Sequence, residues 1–244
     1  MPRAFHDDGL LLIGHGSARY AEAGGILHDL AKTLRERFAE VGVGLLHGAP
    51  SVADALASLR VRHVYVLPFF MEDGYFARVA VPKALAGERE RALTCCAPVG
   101  THQGVADLIE ARVLRSCPEP NRTSVILVGH GSARAPGRTM ALHQHGERLS
   151  RSGRFASVNI AFLEEAPFVP DVLASAHGTA VAVVGVFAGE GLHVRDDLPR
   201  LIEAERLRLG GRLLDLGSIG AEAGMADLIL DQVTQAALGC RAPW

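Results

Sequence analysis

LLIGHGSAR, residues Leu11 to Arg19, returns as ILVGHGSAR, residues Ile126 to Arg134. Outward from this pair, three further segments recur in the same order. LHGAPSVADAL (Leu46–Leu56) lies against LEEAPFVPDVL (Leu163–Leu173), DGYFARVAVP (Asp73–Pro82) against EGLHVRDDLP (Glu190–Pro199), and GVADLI (Gly104–Ile109) against GMADLI (Gly224–Ile229). Ordered matches of this kind mark an internal duplication, which governs architecture before any single residue does. Within each copy, short apolar runs ended by glycine (LLLIG, HVYVLPFF, VILVG, TAVAVVGVFAG) read as strands buried on both faces. Longer stretches with helical spacing lie between them, such as Ile26–Phe38 and Asp197–Leu209. Strand and helix in alternation predict an α/β fold of two tandem flavodoxin-like lobes, each a parallel sheet with helices on both faces. SCPEPNRTS, Ser116–Ser124, is the polar, proline-bearing junction, so the expected lobes are residues 1–119 and 120–244.

The 244 residues are 48% hydrophobic, enough for two real cores. Lys+Arg 25 against Asp+Glu 27 gives a net charge of −2, and division after Pro120 leaves each half close to neutral. No basic face is indicated, which argues against nucleic acid as partner. Among the cations only Lys32 and Lys83 are lysines. That bias fits either a GC-rich genome or a need for planar forks that grip carboxylates. Cys95, Cys96, Cys117 and Cys240 form no C-x-x-C pair, no signal peptide precedes the first apolar run, and the longest apolar stretch, near Thr179–Gly189, is too short to span a bilayer. The expectation is a cytoplasmic protein with free thiols and no membrane partner.

In parallel sheets ligands meet the carboxyl ends of the strands, where both GHGS segments and the glycine-rich segments around Gly74 and Gly191 fall. His130, between glycines at a strand end, either bonds backbone in its turn or faces a ligand. His193 precedes Asp196-Asp197 and Pro199, which read as helix start signals, and stands on the loop itself, available for metal or proton transfer. Glu164 and Glu165 follow the strand-like VNIAFL; Glu164 completes a His/Glu/His set suited to borderline divalent metals, and Glu165 is read as a helix-start charge. His143 and His145, at i and i+2 on one helix, face different ways, and His63, His102 and His177 are read as structural or solvated. No G-x-S-x-G elbow and no P-loop occurs, so neither hydrolase nor nucleotide chemistry is indicated.

GHGSAR after a strand, FLEEAP before a helix and GEGLHVRDDLP in the last third resemble the sirohydrochlorin chelatases, the CbiX-like class II tetrapyrrole chelatases of cobalamin and siroheme biosynthesis, over nearly the whole chain taken as two copies. The resemblance implies ATP-independent insertion of a divalent metal, cobalt favoured, then iron, with nickel also accepted, into a sirohydrochlorin-like ring. It places metal handling and catalysis on His130, His193 and Glu164. Substrate contacts are expected from Ser132, Arg134, Arg138, Gly189, Gly191 and Arg195, with His15 and Ser17 from the first copy; the arginines would clamp the ring's carboxylates. The first copy departs from the pattern. His15 is kept, Phe76 stands where His193 does in the repeat, His47 takes the glutamate slot, and Val79-Ala80-Val81 replaces the acidic run. Phenylalanine neither binds a metal nor accepts a proton, so the first copy is expected to lend shape, and the chain to act as a monomeric pseudo-dimer. A non-catalytic metal or tetrapyrrole carrier is the competing expectation. A protoporphyrin ferrochelatase is less so, because the chain shows no apolar lip.

Overall fold

In the computed structural model, residues 5–16, 25–133, 137, 139–189 and 196–239 are described. The first copy runs β1 (Phe5–Gly16), α1 (Gly25–Leu34), β2 (Phe38–His47), α2 (Val52–Ser58), β3 (His63–Pro68), a π-helical turn (Phe76–Ala80) leading into α3 (Val81–Leu85), β4 (Ala92–Cys95) and α4 (Gly104–Ser116). The second runs β5 (Thr123–Gly129), α5 (Met140–Arg151), β6 (Ser157–Phe162), α6 (Val169–Ala174), β7 (Ala180–Gly185), α7 (Leu198–Leu209), β8 (Leu213–Ser218) and α8 (Met225–Ala237). The two sheets share one topology, β2-β1-β3-β4 and β6-β5-β7-β8, with every pairing parallel. The duplicated α/β architecture predicted from the repeat is therefore the one observed.

Every residue of β5 is buried, as a central parallel strand covered on both faces requires. On one face of the second sheet Ile126 and Val128 pack with Val169, Leu173, Leu198 and Ile202 from α6 and α7. On one face of the first, Leu11, Ile13, Val64 and Val66 pack with Val52, Leu56, Val81 and Leu85 from α2 and α3. Fully burying each such side chain contributes about 1.5–3 kcal/mol. The helix expected over Ile26–Phe38 stops at Leu34, and Phe38 instead opens β2, its ring stacked on Phe5 at 5.1 Å. Tertiary stacking there overrides helical spacing.

The repeat and the compact unit do not coincide. One unit comprises residues 1–102 and 223–244, the other 103–222, so the boundary at 119/120 is not where the chain divides by compactness. The helix that ends each copy accounts for the difference. Arg112 of α4 donates from Nη1 to the carbonyls of Leu216 and Ser218, each at 2.8 Å, and from Nε to Glu222 at 2.6 Å. In the other unit Asp231 of α8 meets His102 Nε2 at 2.7 Å, and Gln232 donates to Pro98 O at 3.1 Å. His102 is thereby a buried helix anchor. His63 is structural as well: Nδ1 lies 2.9 Å from Asp8 Oδ1 and Nε2 2.8 Å from Thr94 Oγ1, joining β1, β3 and β4. His143 is exposed and His145 buried on α5, on different faces as their spacing predicts. Among the described residues no helix is long and apolar enough to cross a membrane.

Candidate functional site

β5 ends at Gly129 and β6 at Phe162, and two further backbone hydrogen bonds continue the contact beyond both ends. Leu163 N donates to Gly129 O at 3.2 Å and Glu164 N to His130 O at 3.0 Å. This continuation sets His130 and Glu164 side by side at the carboxyl edge of the sheet. His130 Nδ1 lies 3.7 Å from Glu164 Oε2, and the two side chains are 46% and 44% exposed. The same nitrogen lies 3.3 Å from Gly131 O. An imidazole that donates from Nδ1 is the tautomer whose Nε2 carries the lone pair, the form that binds a metal or takes a proton.

The turn that presents His130 needs the glycine after it. Gly131 has φ +73°, and a Cβ there would come within 2.8 Å of Glu165 Cγ and 2.9 Å of Phe162 Cβ. Gly16 repeats the arrangement with φ +72°, and a Cβ there would collide with His47 O. Both copies of GHG thus answer the same close approach between adjacent strand ends.

In the first copy the edge has another character. The rings of His15 and His47 are 4.9 Å apart between centroids, and Phe76 meets His15 edge-on at 4.5 Å. Phe70 and Tyr75 extend the cluster, their rings 6.0 and 5.7 Å from that of Phe76. His15 Nδ1 lies 2.9 Å from Gly16 O, the counterpart of the His130 contact. The edge holds imidazoles and aromatic faces where the second copy has a histidine beside a carboxylate.

Of the residues singled out in the sequence, His130 and Glu164 come together, and Ser132 and Gly189, half-buried, lie on the loops after β5 and β7. His15 lies at the equivalent edge of the other unit. Ser17, Arg134, Arg138, Gly191, His193 and Arg195 lie outside the described residues. Among the described residues no group of three His, Cys, Asp or Glu side chains is placed to hold a metal ion. The thiols of Cys95, Cys96 and Cys117 are pushed up by burial, away from the thiolate form that ligates metals.

Glu165 departs from its reading as a helix-start charge. It is 6% exposed, lies ahead of α6 and not in its first turn, and accepts the Gly137 N–H on Oε2 at 2.9 Å. The burial followed from no periodicity. The only trace in the sequence is that the repeat sets this acid opposite Gly48.

The CbiX family model matches residues 9–116 and again 124–236. A protein of Halobacterium salinarum named "Probable sirohydrochlorin cobaltochelatase" is 26% identical over 268 residues, covering 93% of this chain and 91% of its own. The solved structure of SirB from Bacillus subtilis with Fe3+ superposes with TM-score 0.80 at 16% identity, over 96% of each chain. A multi-domain protein of Deinococcus radiodurans with structural similarity to chelatases superposes with TM-score 0.81 at 23% identity; this chain is covered over 94% and spans only 55% of that longer one. The two superpositions agree with the paired parallel sheets. Because the CbiX family model takes in both copies of the repeat almost from end to end, the chain belongs to the CbiX family.

Proposed function

We propose that this chain inserts a divalent metal ion into sirohydrochlorin, cobalt(II) by preference and iron(II) next, in cobalamin or siroheme biosynthesis. The observation that carries the reading is the His130–Glu164 pair, 3.7 Å apart and nearly half exposed at the ligand edge of a parallel sheet. The relative's name supplies the substrate class and puts cobalt first, since imidazole and carboxylate by themselves accept cobalt, iron and nickel alike.

In this mechanism His130, with His193 as the resemblance implies, offers neutral imidazole to the incoming ion. Glu164 either completes the ligand set or takes one of the ring's two pyrrole N–H protons, and whatever it does not take passes to solvent water. Imidazole and carboxylate hold a borderline ion loosely enough to release it to the ring nitrogens, where thiolates would retain it. By the resemblance, Arg134, Arg138 and Arg195 grip the substrate's carboxylates with planar forks, Ser132, Gly189 and Gly191 are the second copy's other substrate-binding residues, and Ser17 and His15 are those of the first. The reaction needs no nucleotide, and the chain works as a cytoplasmic monomer.

The test is purified protein with sirohydrochlorin and each of cobalt(II), iron(II) and nickel(II), followed by the visible spectrum. Multiple turnovers above the protein-free rate are expected with cobalt(II). A spectral change that stops at one equivalent of protein identifies a carrier instead, and a rate equal to the control rejects both. In the same assay His15→Ala is expected to cost about tenfold, a loss of positioning and not of a ligand or base. Loss equal to that of His130→Ala would move the working site to the first copy.

A further inference from the structure

Glu165 touches the loop from His130 to Thr139 at both of its ends. Near the start its stem lies under Gly131, where a Cβ would come within 2.8 Å of Cγ and 3.2 Å of Oε1. Six residues on, Oε2 accepts the N–H of Gly137 at 2.9 Å. The residue is 94% buried, being 6% exposed, and among the described residues its buried Oε1 has no hydrogen-bond partner. A buried carboxylate satisfied at one oxygen is costly to the fold. A side chain needed only to fill space there would be apolar.

The repeat sharpens the point. Both copies share the tight connection after the second strand of each sheet, with Leu45 N donating to Pro50 O and Phe162 N to Pro167 O, each at 2.9 Å. The first copy has Gly48 where the second has Glu165. The acid is therefore not required to build the connection. It is found only in the copy that sets a histidine beside a carboxylate.

We propose that Glu165 is a positioning residue of the second-copy site: its carboxylate holds the backbone at Gly137, within the stretch of sequence that carries Arg134 and Arg138, the residues assigned to the ring's carboxylates. Arg138 follows Gly137 directly in the sequence and Arg134 precedes it by three residues, so the contact falls, along the sequence, between the two arginines assigned to that task. The inference rests on the chelatase reading for its substrate. Its physical content is a hydrogen bond, so a neutral acceptor in the same place should serve.

The experiment compares the wild-type chain with Glu165→Ala and Glu165→Gln. Alanine is expected to raise KM for sirohydrochlorin about tenfold with kcat changed far less, and glutamine to stay within about threefold of wild type. Limited trypsin digestion reads the brace without any activity: cleavage after Arg134 and Arg138 should be faster in Glu165→Ala than in wild type or Glu165→Gln. An unchanged KM in an active Glu165→Ala variant overturns the proposal, as does a glutamine variant as impaired as alanine or a tryptic rate unchanged by alanine. A wild-type chain that inserts no metal sinks the chelatase reading instead, and the trypsin comparison still decides whether the brace exists.

Discussion

Replacing His130 by alanine is expected to lower the rate of metal insertion by about 10³-fold, the loss typical of a removed ligand or base. The fold should barely register the change. His130 is 46% exposed at a strand end, outside the packed core, so stability should stay within about 0.5 kcal/mol of wild type. Thermal unfolding and initial insertion rates on the same preparations check both halves of the expectation. His193→Ala is expected to show the same separation of activity from stability, on the strength of the family resemblance. Retention of more than about a tenth of the rate by His130→Ala would reject the assignment of chemistry to this residue.

Gly131→Ala is expected to damage stability and activity together. Alanine at φ +73° costs about 1–2 kcal/mol in backbone conformation alone. The added methyl must also displace Phe162 Cβ and Glu165 Cγ, at 2.9 and 2.8 Å, an overpacking cost of about 1–3 kcal/mol. A chain that relieves this by rotating the turn moves His130 away from Glu164, and insertion should fall about 10²-fold. Gly153→Ala is the control, because Gly153 has φ +65° with open space around its Cβ position. It should cost only the conformational part and leave insertion unchanged. Equal unfolding midpoints for the two variants would mean that the turn beside His130 is not tightly packed.

His47 and Phe76 show how far a repeat can be read for chemistry. Their positions opposite Glu164 and His193 were plain from the alignment of the copies, and the structure places both rings around His15 at the edge expected of them. Such positions are legible because they depend on where a strand ends, and strand ends follow from local hydrophobic pattern and glycine. Glu165 was misread for the opposite reason. An acid two residues before a proline, ahead of a helix, carries the same local signal whether it is solvated or folded back under a loop.

The duplication, the two parallel α/β sheets and the edge at which His130, Glu164, His15 and His47 stand can all be read from residue order. Each of these follows from the order and period of nearby residues. Which unit each copy's last helix joins, the stacking of Phe38 on Phe5 in place of a helical turn, and the burial of Glu165 against the Gly137 N–H emerge only from packing. Those outcomes rest on Arg112 meeting Glu222, on His102 meeting Asp231 and on one buried carboxylate meeting one backbone N–H. Contacts between residues remote along the chain leave no periodic trace in it, because their energies depend on burial and geometry that exist only once the sheets have formed.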